Sequence, residues 1–238
     1  MPDFPVFTHA LFASAHLLAA HPVFWLLFVL VFLVLVEGLM FLPRIGFVVK
    51  TAVGAVLGAQ VLLLFATAAA GGAPSLGQLL GVLHWPLGHV LALAGTSWLT
   101  FGLGLAFLRW KAGAAAPRFF FGRFGKEKPP APRDFMVFKW AMYLGGLPWL
   151  MLPAVLVLTP QTTALQALAT SLTLTWAHLP ALLLLTGLTV ALEALQPALA
   201  RVLPKPAALA VSALLLPVMV LGILAMQYSL GVLWLGLA

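Results

Sequence analysis

Two histidines stand in strongly apolar stretches of the sequence, where their ring nitrogens could ligate a metal. His178 lies in "TLTWAHLPALLLL", and His89 follows "LHWPLG". If the helix that carries His89 begins near Ser75, both rings lie about 20 Å along their helices and so at similar depth. Two histidines on facing helices can ligate one haem iron, hold another metal or relay protons. We predict His89 and His178 as cofactor-binding residues, with haem b or a quinone as the cofactor.

A packing role is the alternative for His178. Thr175 and Ser171 lie one and two turns before it, so a short polar stripe faces a neighbouring helix. If the helix of His89 begins near Leu87, His89 lies at the membrane interface. His178 then most simply donates a hydrogen bond across a helix pair.

Two glutamates are the other ionisable residues that lie in apolar stretches. Glu37 stands in "LVLVEGLMFLPR", and Arg44 follows two helical turns later on the same face; Glu193 lies nearer the end of its own stretch. Either carboxylate could handle a proton or form an interfacial ion pair, with Arg44 or Arg201 as partner. We predict Glu37, Arg44 and Glu193 as proton or ion-pair residues.

A basic, aromatic segment between residues 109 and 139 is the one long polar stretch of the chain. Its prolines and glycines argue against a folded module. Aromatic rings at headgroup level and cations on anionic lipid would anchor it to a membrane; a docking site for a cytoplasmic partner is the alternative. The residues predicted to contact lipid or a partner are Arg118, Phe119, Phe120, Phe121, Arg123, Phe124, Lys126 and Lys128.

The composition of the chain indicates a membrane protein. Of 238 residues, 63% are hydrophobic and 7% are charged, against about a quarter charged in soluble domains. There is no cysteine, which excludes disulfides and thiolate metal sites. No HExxH pattern and no carboxylate-rich cluster gives a signal of metal catalysis.

Six apolar stretches reach the roughly 20 residues that a membrane-spanning helix needs. They cover residues 22–42, 47–70, a third stretch that ends near Leu108, 137–158, 163–195 and 207–235. We therefore predict an all-α, polytopic bundle of six transmembrane helices over residues 22–238. Residues 1–21 are predicted to form an interfacial helix on the outer leaflet, because they are too short and too polar to span.

The start of the third span is open between Ser75 and Leu87. From Ser75 to Leu108 a helix would measure about 50 Å, more than the roughly 30 Å hydrocarbon core. Pro86 lies inside this range, so either one helix is kinked and tilted or a short helix from Leu76 to Trp85 precedes the span. The excess length favours the second arrangement.

The twelve Lys and Arg residues all fall in alternate connections between the six stretches. Positive charges favour the cytoplasmic side, so both termini are predicted to lie outside and the basic segment inside. This distribution accounts for the net charge of +7 without a nucleic-acid partner. A bacterial inner membrane is the predicted location.

Few charges and no soluble domain favour a non-catalytic integral membrane subunit of a larger complex. Other membrane subunits would be its partners, and an electron-transfer complex with haem b or quinone near the outer face would suit the histidines. The alternative is a small transporter or channel for an apolar, lipid-like or small neutral substrate. A membrane-embedded enzyme ranks last, since no nucleophile, base and oxyanion site occur at recognisable spacing.

Overall fold

A computed structural model describes the backbone of residues 3–39, 42, 45–121, 131–202 and 204–237. The side chains of residues 3, 29, 33, 37, 132, 194–202 and most of 205–217 lie outside this description. The described residues form helices joined by short connections, without a strand, which confirms the all-α class. The helices are α1 (Asp3–Ala20), α2 (Pro22–Gly38), α3 (Gly46–Ala69), the 3₁₀ helix η1 (Leu76–His84), α4 (Leu87–Ala112), α5 (Arg118–Phe121), α6 (Pro132–Gly146), the 3₁₀ helix η2 (Leu147–Trp149), α7 (Leu152–Leu158), α8 (Ala164–Ala177), α9 (Leu179–Val202) and α10 (Lys205–Trp234).

Several of these helices are long and apolar enough to cross a membrane. Among the described residues they are α3, α4 and the continuous segment Arg133–Leu158 formed by α6, η2 and α7. Two bent pairs, α1 with α2 and α8 with α9, bring the number to five if each pair is one span. Many large apolar side chains face outward, as lipid contact requires, including Val34, Leu83 and Leu165 at 74%, 78% and 79% exposed.

The helix predicted as the third span, α4, begins at Leu87, where the position of Pro86 favours its start. A proline cannot donate a backbone hydrogen bond and forces the residue before it into an extended conformation. Trp85 and Pro86 are indeed extended, with ψ angles of 142° and 133°. The preceding residues form the separate helix η1, which the buried Gln60 of α3 holds by donating to the carbonyl of Gln78 at 2.6 Å.

The predicted fourth span is a broken helix that begins earlier than the sequence predicts. Pro132 starts α6, because a proline suits the first turn of a helix, where its missing N–H costs nothing. Pro148 and Pro153 then interrupt the backbone ladder, and the chain passes through η2 into α7. Lys139, counted in the sequence among the loop cations, therefore lies on a membrane-type helix.

The predicted fifth span, residues 163–195, is two helices that meet at 91°. A Thr163–Gln166 capping box begins α8: the Thr163 backbone N–H donates to Gln166 Oε1 at 2.9 Å. His178 is the single residue between α8 and α9. The polar ring that the sequence singles out therefore marks a sharp elbow rather than the middle of a straight helix.

The N-terminal helices also meet at a steep angle, 89° between α1 and α2. One face of α1 is buried on the bundle: Ala10 and Ser14 are 0% and 3% exposed, and the Ser14 and Ser229 hydroxyls are 3.1 Å apart. The described residues do not test whether α1 lies on the outer leaflet, so that position stays a prediction.

Candidate functional site

A cavity of about 500 Å³ lies between α3, α4, α6, α9 and α10. This volume is within the range typical of small-molecule sites. Its apolar lining residues are Phe138, Met142, Gly146, Leu150, Leu185 and Ile223. Its polar lining residues are Lys50, Thr100, Lys139, Tyr143, Thr186, Thr189 and Glu193.

An ion pair between two helices forms the polar end of this cavity. Lys139 Nζ of α6 lies 2.6 Å from Glu193 Oε2 of α9, and the Tyr143 hydroxyl donates to the other carboxylate oxygen, Oε1. Lys139 and Tyr143 are four residues apart, so they share a face of α6 and can reach the same carboxylate. Their convergence satisfies both oxygens of Glu193 and joins α6 to α9.

The cavity-facing side of α9 follows from helical spacing. Leu185, Thr189 and Glu193 recur every four residues and so line one face, with Thr186 beside them. The Thr189 hydroxyl donates to the Leu185 carbonyl at 2.9 Å. Thr189 therefore satisfies its hydroxyl within its own helix and places a small side chain one turn from Glu193.

Charged side chains within membrane-type helices are costly and usually mark a path or binding site for an ion or solute. The Lys139 and Glu193 side chains are 30% and 23% exposed, so the pair borders open space instead of being sealed in the core. A cavity with apolar walls and a few convergent polar groups is the usual form of a small-molecule site. The arrangement places a carboxylate, an ammonium group and a phenol hydroxyl together beside an apolar wall.

The chain matches no family model, no curated protein and no solved structure.

His89 lies at the beginning of α4 and ties it to the chain before α8. Its Nε2 is 3.0 Å from the Thr162 carbonyl oxygen, and the side chain is 7% exposed. The Trp85 ring packs edge-on against the imidazole, with ring centroids 6.4 Å apart. These contacts make His89 a link between two helix beginnings.

His178 lies at the other end of α8, with its ring stacked on Trp234. The ring centroids are 4.2 Å apart and the planes differ by 4°. The 14 residues of α8 separate the two histidines by about 21 Å along its axis, whereas axial ligands must meet at one iron. The two rings are therefore too far apart to ligate one haem iron together; binding of a haem or quinone by either ring stays a prediction. Among the described residues, no group of three or more His, Asp or Glu could hold a metal ion.

The hydroxyls of the polar stripe that precedes His178 donate hydrogen bonds to η2, where the predicted fourth span is interrupted. The Ser171 hydroxyl donates to the Pro148 carbonyl at 3.0 Å, and the Thr175 hydroxyl donates to the Leu147 carbonyl at 3.1 Å. Both hydroxyls are buried. They supply hydrogen bonds to carbonyls of η2, where the ladder of a regular helix is interrupted.

The basic segment is described only in part. Arg118 and Phe121 are exposed on α5, so their predicted lipid or partner contact remains open. Phe120 is 2% exposed and packs between Phe47, Phe101, Phe135 and Phe138, and Phe119 also contacts Phe47. The prediction that Phe120 contacts lipid or a partner is therefore corrected: it holds α5 on the bundle.

Several predicted residues lie outside the description. They are Arg44, Arg123, Phe124, Lys126, Lys128 and the side chains of Glu37 and Arg201.

Sequence reasoning singled out Glu193 but missed its partners. It considered arginines near the helix ends, whereas the structure pairs Glu193 with Lys139 and Tyr143. The spacing Lys139-x-x-x-Tyr143 was the available signal, since it places two donors on one helical face.

Proposed function

We propose that the protein is a small membrane carrier that binds its solute in the cavity between α6 and α9. The observation that carries this proposal is the Lys139–Glu193 pair at the wall of a cavity of about 500 Å³. Ionisable groups in membrane helices are expensive, and a pair that borders open space is suited to binding a solute. This replaces the expectation of a neutral or apolar substrate for the transporter alternative.

Two discontinuities in the helices beside the cavity support a carrier. Transporters commonly form their sites from interrupted helices, which can rearrange around a bound solute. The α8–α9 elbow at His178 precedes the α9 face that lines the cavity, and the α6–η2 break lies beside Gly146 and Leu150 of its lining. A motion of α9 about His178 would open or close the Lys139–Glu193 contact.

The proposed topology has six membrane crossings with both termini outside. It counts the three long helices, each bent pair and α10, and it places the basic connections in the cytoplasm. Lys139 lies two turns from the start of α6, which follows the basic segment, so the cavity lies in the cytoplasmic half of the membrane. A bacterial cytoplasmic membrane is the proposed location.

The natural absence of cysteine allows a direct test of this proposal. Thr189→Cys and Thr100→Cys place single thiols on two of the helices that line the cavity, α9 and α4. Sealed vesicles of both orientations are treated with a membrane-impermeant methanethiosulfonate that carries a sulfonate group. A carrier exposes its site alternately to the two sides, so we expect both thiols to be modified from either side.

Two further single-cysteine variants control the experiment. Ala59→Cys places a thiol at a fully buried position of α3 and should react from neither side. Gln161→Cys lies at an exposed position of the connection before α8 and should react only from outside. Modification of Thr189→Cys from one side only, or from neither, would overturn the carrier proposal.

The subunit hypothesis, with haem b or a quinone, is tested by another observable. A dithionite-reduced minus oxidised spectrum of the purified protein would show a b-type band if a haem is bound. Loss of that band in His178→Ala would assign the ring as a ligand. A fully loaded preparation without such a band would exclude the haem version.

A further inference from the structure

We infer that the solute of this cavity is a zwitterion on an apolar body. Its ammonium group and its acidic group lie close together, as in an apolar α-amino acid or in the ethanolamine headgroup of a lipid. This inference rests on the proposed carrier function and names its substrate class. It is carried by the Lys139–Glu193 contact, by the hydrogen-bonding capacity that both partners keep and by the apolar remainder of the wall.

The ion pair presents two opposite charges to the cavity at nearly the same place. Lys139 Nζ lies 2.6 Å from Glu193 Oε2, and both side chains are partly exposed. An anion that approaches Lys139 is therefore repelled by Glu193, and a cation that approaches Glu193 is repelled by Lys139. A solute with both charges can instead lie antiparallel to the pair, so that each charge has an opposite neighbour.

The third charged residue of the lining, Lys50, does not decide between an anion and a cation. Its side chain already has an interaction of its own, so it adds no free charge to the wall. The other described residues that line the cavity carry no charge. The class of solute therefore follows from the paired charges of Lys139 and Glu193.

Both partners of the ion pair can form further hydrogen bonds. An ammonium group has three N–H donors and a carboxylate has about four acceptor positions. The described bonds use one donor of Lys139, and Glu193 accepts one bond at each oxygen, from Lys139 and from the Tyr143 hydroxyl. An acidic group of the solute can thus accept from Lys139 while its ammonium group donates to Glu193, without breaking the Lys139–Glu193 contact. Such charge-assisted hydrogen bonds are stronger than neutral ones.

The remainder of the cavity is suited to an apolar body. On α9, Leu185 lies about two turns before Glu193. On α6, Gly146 lies about two turns after Lys139, and Leu150 follows η2. The lining therefore extends about 10–12 Å from the ion pair along each helix, at 1.5 Å per residue. Burying an aromatic ring or a branched hydrocarbon chain there contributes binding free energy that a small polar zwitterion cannot gain.

The test compares three probes that share one skeleton. L-Phenylalanine carries both charges, 2-phenylethylamine carries only the ammonium group, and 3-phenylpropionate carries only the carboxylate. Each probe is titrated against modification of Thr189→Cys, one turn from Glu193, in the purified full-length protein in detergent. The reagent is methyl methanethiosulfonate, which is uncharged and so has no bias towards either charge of the pair.

We expect phenylalanine to protect the thiol at a concentration at least about tenfold lower than either analogue, because each analogue lacks one charge-assisted bond. L-Alanine, with the same charges on a smaller body, should protect only at a higher concentration than phenylalanine. Thr173→Cys is exposed on α8 and lies outside the lining. Its thiol should be modified at the same rate with and without each probe.

Two variants assign the preference to the ion pair. In Thr189→Cys/Glu193→Gln, Lys139 has lost its carboxylate partner, so 3-phenylpropionate should protect at least as well as phenylalanine. In Thr189→Cys/Lys139→Gln, 2-phenylethylamine should do so. Circular dichroism and gel filtration show whether each variant is folded, and the comparison of the three probes in Thr189→Cys needs neither variant.

Lysophospholipids distinguish the two sources of such a zwitterion. Lysophosphatidylethanolamine carries an ammonium group and a phosphate, whereas lysophosphatidylglycerol carries the phosphate alone. Protection by the first lipid at a lower concentration than by the second, without protection by phenylalanine, would support the inference and assign the site to a lipid headgroup. Protection by phenylalanine would support it and assign the site to a free amino acid.

Three outcomes would overturn the inference. They are protection of Thr189→Cys by a singly charged analogue as strong as that by phenylalanine, protection by neither phenylalanine nor lysophosphatidylethanolamine, and an unchanged preference in both folded ion-pair variants. The carrier proposal fails separately, if the thiol in sealed vesicles is modified from one side only. Protection in detergent does not depend on that result, because both sides of the protein are then open to the probe.

Discussion

Replacing Gly104 with alanine should destabilise the contact between α4 and α6, whereas the same change at Gly102 should not. A Cβ at Gly104 would lie 2.6 Å from Met142 Cγ and 2.9 Å from the Phe138 ring. Met142 would have to move by at least 0.8 Å to restore an ordinary van der Waals contact of 3.4 Å. A Cβ at Gly102 meets nothing within 4 Å. The two glycines lie on one helix, two residues apart, and form a matched pair.

The magnitude follows from what surrounds Phe138. Its ring is 4% exposed and packs against Phe101, Phe120 and Phe135, so it has little room to move. Forcing an extra carbon into a packed core costs about 1–3 kcal/mol. Replacing glycine by alanine in a helix interior stabilises the helix by roughly 1 kcal/mol, and this effect is similar in both variants. Gly104→Ala should therefore be about 1–3 kcal/mol less stable than Gly102→Ala.

Unfolding in mixtures of dodecyl maltoside and dodecyl sulfate, followed by tryptophan fluorescence and circular dichroism, measures the difference. A second substitution, Phe138→Leu, should recover part of the loss in Gly104→Ala, with a coupling energy of about 1 kcal/mol. Equal stabilities of the two alanine variants within about 0.5 kcal/mol, or strict additivity with Phe138→Leu, would refute the close packing of α4 on α6.

Three further changes test the site and its supports. Lys139→Met and Glu193→Gln should each destabilise the protein. Because the pair is partly exposed, a double-mutant cycle should give a coupling energy of only about 1–3 kcal/mol, and additive losses would argue against the ion pair. Thr175→Val should lower the free energy of unfolding by about 1 kcal/mol in the same assay, because the Leu147 carbonyl loses the hydrogen bond from the Thr175 hydroxyl. Thr173→Val, at an exposed position of the same helix, should change it by less than about 0.5 kcal/mol, and equal effects would contradict the Thr175–Leu147 bond. His178→Ala should lower the free energy of unfolding by about 0.5–1.5 kcal/mol through loss of stacking on Trp234, whereas His178→Phe should largely keep it. An equal loss in both variants would show that stacking is not the stabilising contact.

The sequence predicts the helical class and most helix ends, because these depend on local chemistry. Pro86 sets the start of α4, and the length of apolar stretches sets the candidate spans. The elbow at His178 was not predicted, although the sequence carries a signal for it. Pro180 is the second residue of α9, where a proline is tolerated, and its missing N–H interrupts the hydrogen bonds of a helix that would continue from α8.

The sequence predicted one residue of the ion pair, Glu193, but not its partner. Glu193 stands out because a carboxylate in an apolar stretch is rare, but a lysine near a polar segment looks like any loop cation. Assigning Lys139 to the loop removed the true partner of Glu193 from consideration. Only the packing of α9 beside α6, which depends on contacts distant in sequence, reveals the pair and the cavity around it.

The hydrogen bonds from α8 to η2 have a consequence for how the chain enters a membrane during synthesis. The Leu147 and Pro148 carbonyls lie within a membrane-type segment, and the hydroxyls of Thr175 and Ser171, made later, bond to them. The Leu147 carbonyl also accepts from the Leu150 backbone N–H at 3.1 Å, so the Pro148 carbonyl is the group that depends on α8. An unbonded carbonyl in hydrocarbon is costly, so the segment Arg133–Leu158 is incomplete until α8 arrives. We expect the two segments to leave the translocation machinery together as a helical hairpin, not as independent helices inserted one after the other.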